Sequence, residues 1–514
     1  MTKRLTCIWL TICLTCLSQG VGAQEKRKDT GMPHQSPPTK ALRLEIESNS
    51  AEQEFRVVAL PDSSLLVITT KKGPFFGKTD FVLTRYNRQL EVIWQEKYPH
   101  TPGHTLKQVH AEGQAIYLVF TPPDHDRLFL YQVLKSTGKG GMQEYKIPNS
   151  DLIFKEMAVV QGQVFFHAID GNNLVLLHLN PVAQTLSSVP SFFGLEDELG
   201  EFRADTASRS LEFALVESNG TLSRMHVKRL HANGVSKGNY FIQPDFKLRN
   251  NYLLQTARLT PGDTLTKLLI GTYGYRTQQF AKGLFVSPLA GQITYLDFGD
   301  LPHFFGYLSP RAERRMKAKY AQKEAQGQPV VLKQKLLLHP IQPHPLGYAV
   351  VAEVYYPHYT TITKDQFRKE NGRLPDYNDL RFRLDGYHFT HALACVFDFE
   401  GNLLWDNTYK MRKKTYPTLA PTLQAGVSAA GNITLLQQER EFVWYKTLMP
   451  NTAFSNDQRM RVATQDNTEK VVFSKFENII HWYGGNFIAS GFQRIKSAKG
   501  DARTVFYLQN LQFK

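Results

Sequence analysis

Two distant segments of the chain carry the same hairpin. Tyr86-Asn87 is followed four residues later by Val92-Ile93-Trp94, and Phe397-Asp398 is followed at the same spacing by Leu403-Leu404-Trp405. In each, an aromatic and a turn-forming Asn or Asp end one strand, and a Trp stands in the next. A tight turn between neighbouring strands produces this pattern, with the Trp on a face that another sheet must cover. Around both segments apolar residues recur at period two, in short runs broken by turn residues. Four such runs, residues 55–60, 65–70, 80–86 and 92–98, make one antiparallel unit.

The unit then recurs. Residues 104–147 hold QAIYLVF and RLFLYQVL, residues 154–189 QVFFHAI and NLVLLHL, and residues 201–243 LEFALVE and SRMHVKRL. Residues 252–298, 331–411, 419–464 and 471–513 continue the series. A period of about 40–50 residues is that of a four-stranded propeller blade. The count is eight if every segment is a full blade, and seven if one is supplied in halves. The last segment lacks a clear fourth strand, while LRLEI (residues 42–46) stands unpaired at the other end. Pairing these two would close the ring and leave no open edge. The expected fold is all-β: a single seven- or eight-bladed β-propeller of four-stranded antiparallel blades with one short helical insertion. Two β domains or a pair of sandwiches are the alternative, although no Pro/Gly/Ser-rich linker divides the chain.

The first residues read as an export signal. Lys3 and Arg4 precede an apolar stretch over residues 5–17, and Val21-Gly22-Ala23 offers a small-residue cleavage site. The stretch is about a dozen residues, short of the roughly 20 that span a bilayer. Residues 1–23 are therefore expected to be a signal peptide, 24–40 a flexible lead and 41–514 the propeller. The protein would be exported to the periplasm or cell surface, with no transmembrane span after cleavage. Of four cysteines only Cys395 would remain. It lies among apolar neighbours in HALACVFDF, so an inert buried thiol is expected.

The formal charge is +15, or +13 without Lys3 and Arg4. Such a surface favours anionic partners: lipid headgroups, acidic polysaccharide, nucleic acid or acidic protein. No nucleic-acid module or zinc-ligand spacing is present, so no specific nucleic-acid partner is expected.

Two insertions depart from the repeat. Residues 309–327 (SPRAERRMKAKYAQKEAQG) suit a helix, with Ser309 as cap, Pro310 in the first turn and Gly327 at its end. Ala312, Met316 and Tyr320 form a narrow apolar stripe among basic residues, which fits packing on the propeller rim better than a membrane helix. The second insertion, 357–387, reads as a long loop carrying Tyr359, Asp365, Asp376, Tyr377, Asp379 and Asp385. Antiparallel pairing of its flanks would bring Glu353, Tyr355, His358, Tyr387, His388 and His391 to one mouth.

Three chemistries bear on that set. His388 and His391 with Glu353 supply metal-ligand types, but strand positions three apart face opposite ways unless the backbone bulges, so no metal or other cofactor is expected. Glu353 with Asp385 or Asp406 could serve as a glycosidase pair. No nucleophile elbow accompanies them. Tyr355, Tyr356, His358, Tyr359, Tyr387 and His391 instead suit a contact surface, since a tyrosine offers both an apolar plane and a hydroxyl.

The segments GTYGYRTQQFAKGLFVSPLAGQ, DFGDLPHFFGYLS, AEVYYPHY and DGYHFTHALACVFDFEGNLLWDNTYKM resemble those of uncharacterised secreted β-propeller-like proteins of Bacteroidota. The resemblance implies an exported propeller-like protein of a Gram-negative envelope, and it carries over no catalytic residues. The expected role is a cell-envelope scaffold that binds an envelope protein or glycan, anionic ones included. The alternative is an envelope hydrolase, glycosidase- or esterase-like, with Glu353, Asp385 and His388 in its site. A propeller that is purely structural is the third reading.

Overall fold

The computed structural model describes residues 42–48, 53–71, 79–101, 103–149, 151–189, 199–218, 222–245, 252–262, 267–276, 280–361, 368, 372, 382–412, 414–439, 441–450, 458–466, 468–497 and 500–513. The expected signal peptide and flexible lead lie outside them, as do Asp365, Asp376, Tyr377 and Asp379.

Eight antiparallel sheets follow one another along the chain. We call them blades one to eight, spanning residues 53–100, 105–146, 153–188, 199–242, 252–297, 335–416, 424–461 and 470–512. Seven hold four strands, and blade six adds two short strands to its four. The count is thus eight rather than seven. Arg43–Glu47 supplies the outermost strand of blade eight, pairing from Arg43 against Gln509 to Glu47 against Val505. This is the closure expected from the unpaired LRLEI.

Eight buried apolar clusters fill the joints between neighbouring blades. One joins Leu66, Ile68 and Phe81 of blade one to Ile116, Leu118 and Phe120 of blade two. Another joins Leu65 and Val67 to Trp482, Ile488 and Leu508 of blade eight, which completes the ring. Consecutive residues of one strand therefore enter two different cores, because side chains alternate across a sheet. That explains why the middle strands read as unbroken apolar runs: Ala115–Thr121 is buried at every position.

The repeated hairpin has the same local cause in both places. Asn87 Oδ1 accepts from the backbone N–H groups of Gln89 and Glu91, each at 2.9 Å. Asp398 Oδ1 accepts from Glu400 N at 3.0 Å and Asn402 N at 2.7 Å. These are side-chain-closed turns of the kind Asn and Asp favour. Trp94 then packs at the joint of blades one and two and donates to Lys135 O at 2.8 Å. Trp405 packs at the joint of blades six and seven.

Polar side chains brace the inner strands. Gln108 donates to Lys155 O at 2.6 Å, Arg203 to Thr260 O at 2.8 Å and Gln342 to Ala425 O at 2.9 Å, each reaching the next blade. Between blades four and five lies a buried ionic cluster. Lys267, with no exposed side chain, donates to Asp205 at 2.9 Å and to both oxygens of Glu212 at 2.6 and 2.7 Å. Arg229 Nε stands 3.0 Å from Glu212.

One helix, α1 (Pro310–Ala325), links blade five to blade six. Ser309 caps it by accepting from Ala312 N, and Gly327 leaves it at φ 63°. Tyr320 is buried and Met316 packs beside it on the core shared by blades five and six, so the stripe meets the rim.

Candidate functional site

The two ends of the insertion read as a long loop, residues 357–361 and 382–387, are a continued ladder. The two middle strands of blade six run Gly347–Thr361 and Phe382–Phe397, twice the usual length. Their pairing extends from Tyr348 opposite Phe397 to Thr361 opposite Phe382, with bulges at Val354/Tyr355 and His358/Tyr359. The Tyr-, His- and Thr-rich flanks are thus strand residues, and most of 362–381 between them lies outside the described residues.

This ladder places the sequence-selected residues, and it does not gather them at one mouth. Glu353, Tyr355 and Tyr387 belong to the face that packs on blade seven. Glu353 is fully buried and its carboxylate is saturated: it accepts from His339 Nε2 at 2.7 Å, Thr422 N at 2.8 Å, Leu423 N at 3.0 Å and Thr422 Oγ1. Tyr355 meets Tyr387 edge-on at 5.8 Å, and burial raises its hydroxyl to about 12. Tyr356, His358 and His388 occupy the opposite face. His388 stacks on His358 at 4.2 Å, contacts the Tyr356 hydroxyl at 3.2 Å through Nδ1 and Thr415 Oγ1 at 2.6 Å through Nε2. Asp385, half exposed, stands 3.5 Å from His358. His391 is on that same side but deep in the core, stacked on Tyr307 at 3.7 Å, and burial lowers it to about 3, so it is neutral. Tyr359 is exposed at the outer end.

The hydrolase set therefore does not converge, because Glu353 faces blade seven while Asp385 and His388 face away. Asp406, also buried, is bound by His303 through its backbone N–H at 2.8 Å and its ring at 3.2 Å. Cys395 is buried, and burial raises its thiol. Among the described residues no group of three or more His, Cys, Asp and Glu could hold a metal ion.

A cavity in blade five, beneath α1, has the features those residues lack. It is open to solvent and offers ≈650 Å³ between Tyr252, Tyr275, Arg276, Lys282, Asp297, Tyr320 and Glu324. Tyr252 begins the inner strand, Tyr275 ends the second, Lys282 begins the third and Asp297 ends the outer one. All lie at the end of the ring from which α1 and the long hairpin of blade six also rise. The Lys282 ammonium contacts Asp297 and stands 5.2, 5.7 and 5.6 Å from the ring centres of Tyr252, Tyr273 and Tyr275. Tyr273 also donates to Asp297.

Burial, reinforced by Asp300 and Glu324, pushes the Asp297 carboxyl up to about 7 against a hydrogen bond from Tyr320. Burial lowers Lys282 in turn. Both shifts favour the neutral forms, while the contact between the two groups favours the charged ones. A concave, aromatic-lined site with a few convergent polar groups and perturbed titration is where a ligand is first sought. Sequence reasoning missed it. The signal was tyrosine density in blade five (GTYGYR and ITYLDF), unremarkable until α1 folds Tyr320 over it.

No protein-family model matches the chain, and no curated protein matches it. Among solved structures, a polysaccharide lyase (Uly1) superposes with TM-score 0.39 at 8% identity, over 79% of this chain and 89% of the lyase. The β-propeller domain of the Trilobed protease from Pyrococcus furiosus gives TM-score 0.32 at 6% identity, over 80% of this chain and 96% of that domain. A variant of the Synechocystis apocarotenoid oxygenase gives TM-score 0.31 at 6% identity, over 47% of this chain and 61% of the oxygenase. The likeness is one of fold.

Proposed function

We propose that the chain is an exported carbohydrate-binding propeller of the cell envelope, holding a glycan at the end of the ring that carries α1. The observation behind this reading is the blade-five cavity. Tyrosine planes suit the apolar faces of sugar rings, and their hydroxyls suit the polar edges. Arg276 and Lys282 balance Asp297 and Glu324 in formal charge, so the lining offers donors and acceptors together, as a hydroxyl-rich ligand requires. A volume of ≈650 Å³ accommodates a short oligosaccharide. Export and an envelope setting are supported by the basic, apolar and small-residue order of residues 1–23 and by the resemblance to secreted Bacteroidota proteins. Tyr359 and the outer end of the blade-six hairpin rise from the same end of the ring and would extend the contact.

The test is a glycan microarray read with wild type, Tyr275→Ala and Gly299→Ala. A Cβ on Gly299 would sit 2.0 Å from the Tyr320 ring, so that variant drives Tyr320, with its hydrogen bond to Asp297, from its seat. Retention of one glycan class by wild type, weakened at least about tenfold in both folded variants, is expected. Silence on the array, or unchanged retention by both variants, refutes the assignment.

A further inference from the structure

The inner strand of blade eight, Lys470–Tyr483, is twice the length of most inner strands and continues beyond the packed part of the ring. Three irregularities interrupt its pairing with Asn486–Lys496, and two of them lie toward its start, one between Val471 and Phe473 and one between Lys475 and Asn478. Val472 falls in the first of these two, Phe476 and Glu477 in the second, and bulges of this kind re-aim side chains. Val472, Phe473 and Phe476 are 60%, 56% and 67% exposed. Phe476 holds φ at 56°, a conformation bulky residues rarely adopt. Three large apolar side chains thus stand exposed around the two bulges.

Basic residues predominate around them, with Glu477 beside Phe476 and Glu54 on the adjoining groove. Lys470, Arg494 and Lys496 are exposed, and Lys475 lies 5.3 Å from the Phe476 ring centre. Among the described residues, no carboxylate pairs with any of these four. Arg503, by contrast, is paired with Glu469 and Glu45. Beside the patch a groove of ≈370 Å³ opens between blades eight and one, with Phe55, Val57, Phe476, Phe492 and Phe506 among its walls.

We infer that this end of blade eight is a membrane-docking surface, which seats Val472, Phe473 and Phe476 in the interfacial layer of an anionic bilayer. Apolar tips enter the boundary between headgroups and acyl chains, while the four cations meet lipid phosphates. Long basic side chains can extend toward headgroups while their stems stay on apolar surface. Exposed apolar groups ringed by polar ones mark interaction surfaces, and the cationic ring selects an anionic lipid face over an apolar protein partner. The arm begins where the inner strand begins, so it rises from the end of the ring that carries the blade-five cavity. Docking would turn that cavity toward the lipid surface.

The experiment is co-sedimentation of the mature chain with vesicles of phosphatidylcholine alone and of phosphatidylcholine with phosphatidylglycerol. Wild type is expected to partition onto the anionic vesicles and to be released by salt. A Val472→Ser/Phe473→Ser variant and, separately, Phe476→Gly should lose at least about tenfold in partitioning. Glycine accepts the φ that Phe476 strains, so Phe476→Gly should unfold no earlier than wild type and its loss of binding cannot be laid to misfolding. Lys470→Gln/Arg494→Gln/Lys496→Gln should abolish the preference for anionic vesicles. Failure of wild type to partition, equal partitioning onto neutral vesicles, or unchanged partitioning by the apolar variants each overturns the proposal. Glycan binding is read separately, because the variants leave blade five untouched.

Discussion

Replacing Glu353 by alanine should cost stability on a scale its geometry sets. The carboxylate takes four hydrogen bonds, two of them from the backbone N–H groups that begin blade seven. Removing it leaves the Thr422 and Leu423 amides and the His339 ring without that acceptor inside the joint of two blades. Unmade bonds to a buried charged group cost about 1–3 kcal/mol each, but they share one cavity that rearranges, so about 4 kcal/mol is expected in total. Glu353→Gln should cost only about 1–1.5 kcal/mol. Its oxygen can keep the two amides and His339, and its NH₂ would face Thr422 Oγ1, which can turn to accept.

For a ring this large a change of 1 kcal/mol moves the melting temperature by only about 1 °C, so heat is a blunt probe. Amide hydrogen exchange at Thr422 and Leu423 is sharper: a loss of about 4 kcal/mol permits acceleration up to about a thousandfold. Unfolding of the alanine variant within about 1 kcal/mol of wild type, with both amides still slow, would refute the reasoning. So would a glutamine variant as damaged as alanine.

The buried cluster between blades four and five carries a pH signature. Burial alone would raise the Asp205 carboxyl, but hydrogen bonds from Ser208 and Lys267 overcome it and hold it below its usual value. A carboxyl depressed in the folded state contributes stability that is present above its unfolded pKa of about 4 and disappears as pH falls through the folded value. Lys267→Met should cost about 3–5 kcal/mol near neutrality and flatten the acid limb of a denaturation series, and an unchanged limb would contradict this. Deleting residues 42–48 should leave the third strand of blade eight with an open edge, seen as self-association in sedimentation velocity, whereas a monomer of unchanged stability would show that closure there is dispensable.

The parts of the fold legible in the sequence were those set by local chemistry. Asn87 and Asp398 close their turns with their own side chains, so the repeated hairpin could be read without knowing its surroundings. LRLEI announced its need of a partner by alternating while standing alone. The helix was legible from Ser309, Pro310 and Gly327 for the same reason. Register was not legible. Glu353 and His391 are residue types that suggest chemistry, yet strand alternation put the one in the joint with blade seven and the other beneath Tyr307. The flanks of the blade-six insertion read as loop because Pro357, Gly386 and several polar residues interrupt the apolar period, and the ladder carries them with bulges. The blade-five cavity was invisible because Tyr252, Tyr275 and Tyr320 come from three elements and meet only when the helix folds back.

The strand Arg43–Glu47 also sets an order of events in time. It is made before all eight blades, and its partner, around Gln509, is made last. Arg43 and Gln509 are 466 positions apart, so their pairing closes a longer loop than any other strand contact in the ring. Contacts of such separation form late and slowly, since the chain must first be shortened by its more local pairings. Until then the third strand of blade eight and the first-made strand are both unsatisfied edges, complementary to each other and to the same edges on other copies. Dilution, or a chaperone that holds either edge, should therefore raise the yield of closed rings, while crowding among nascent copies should favour strand exchange between them.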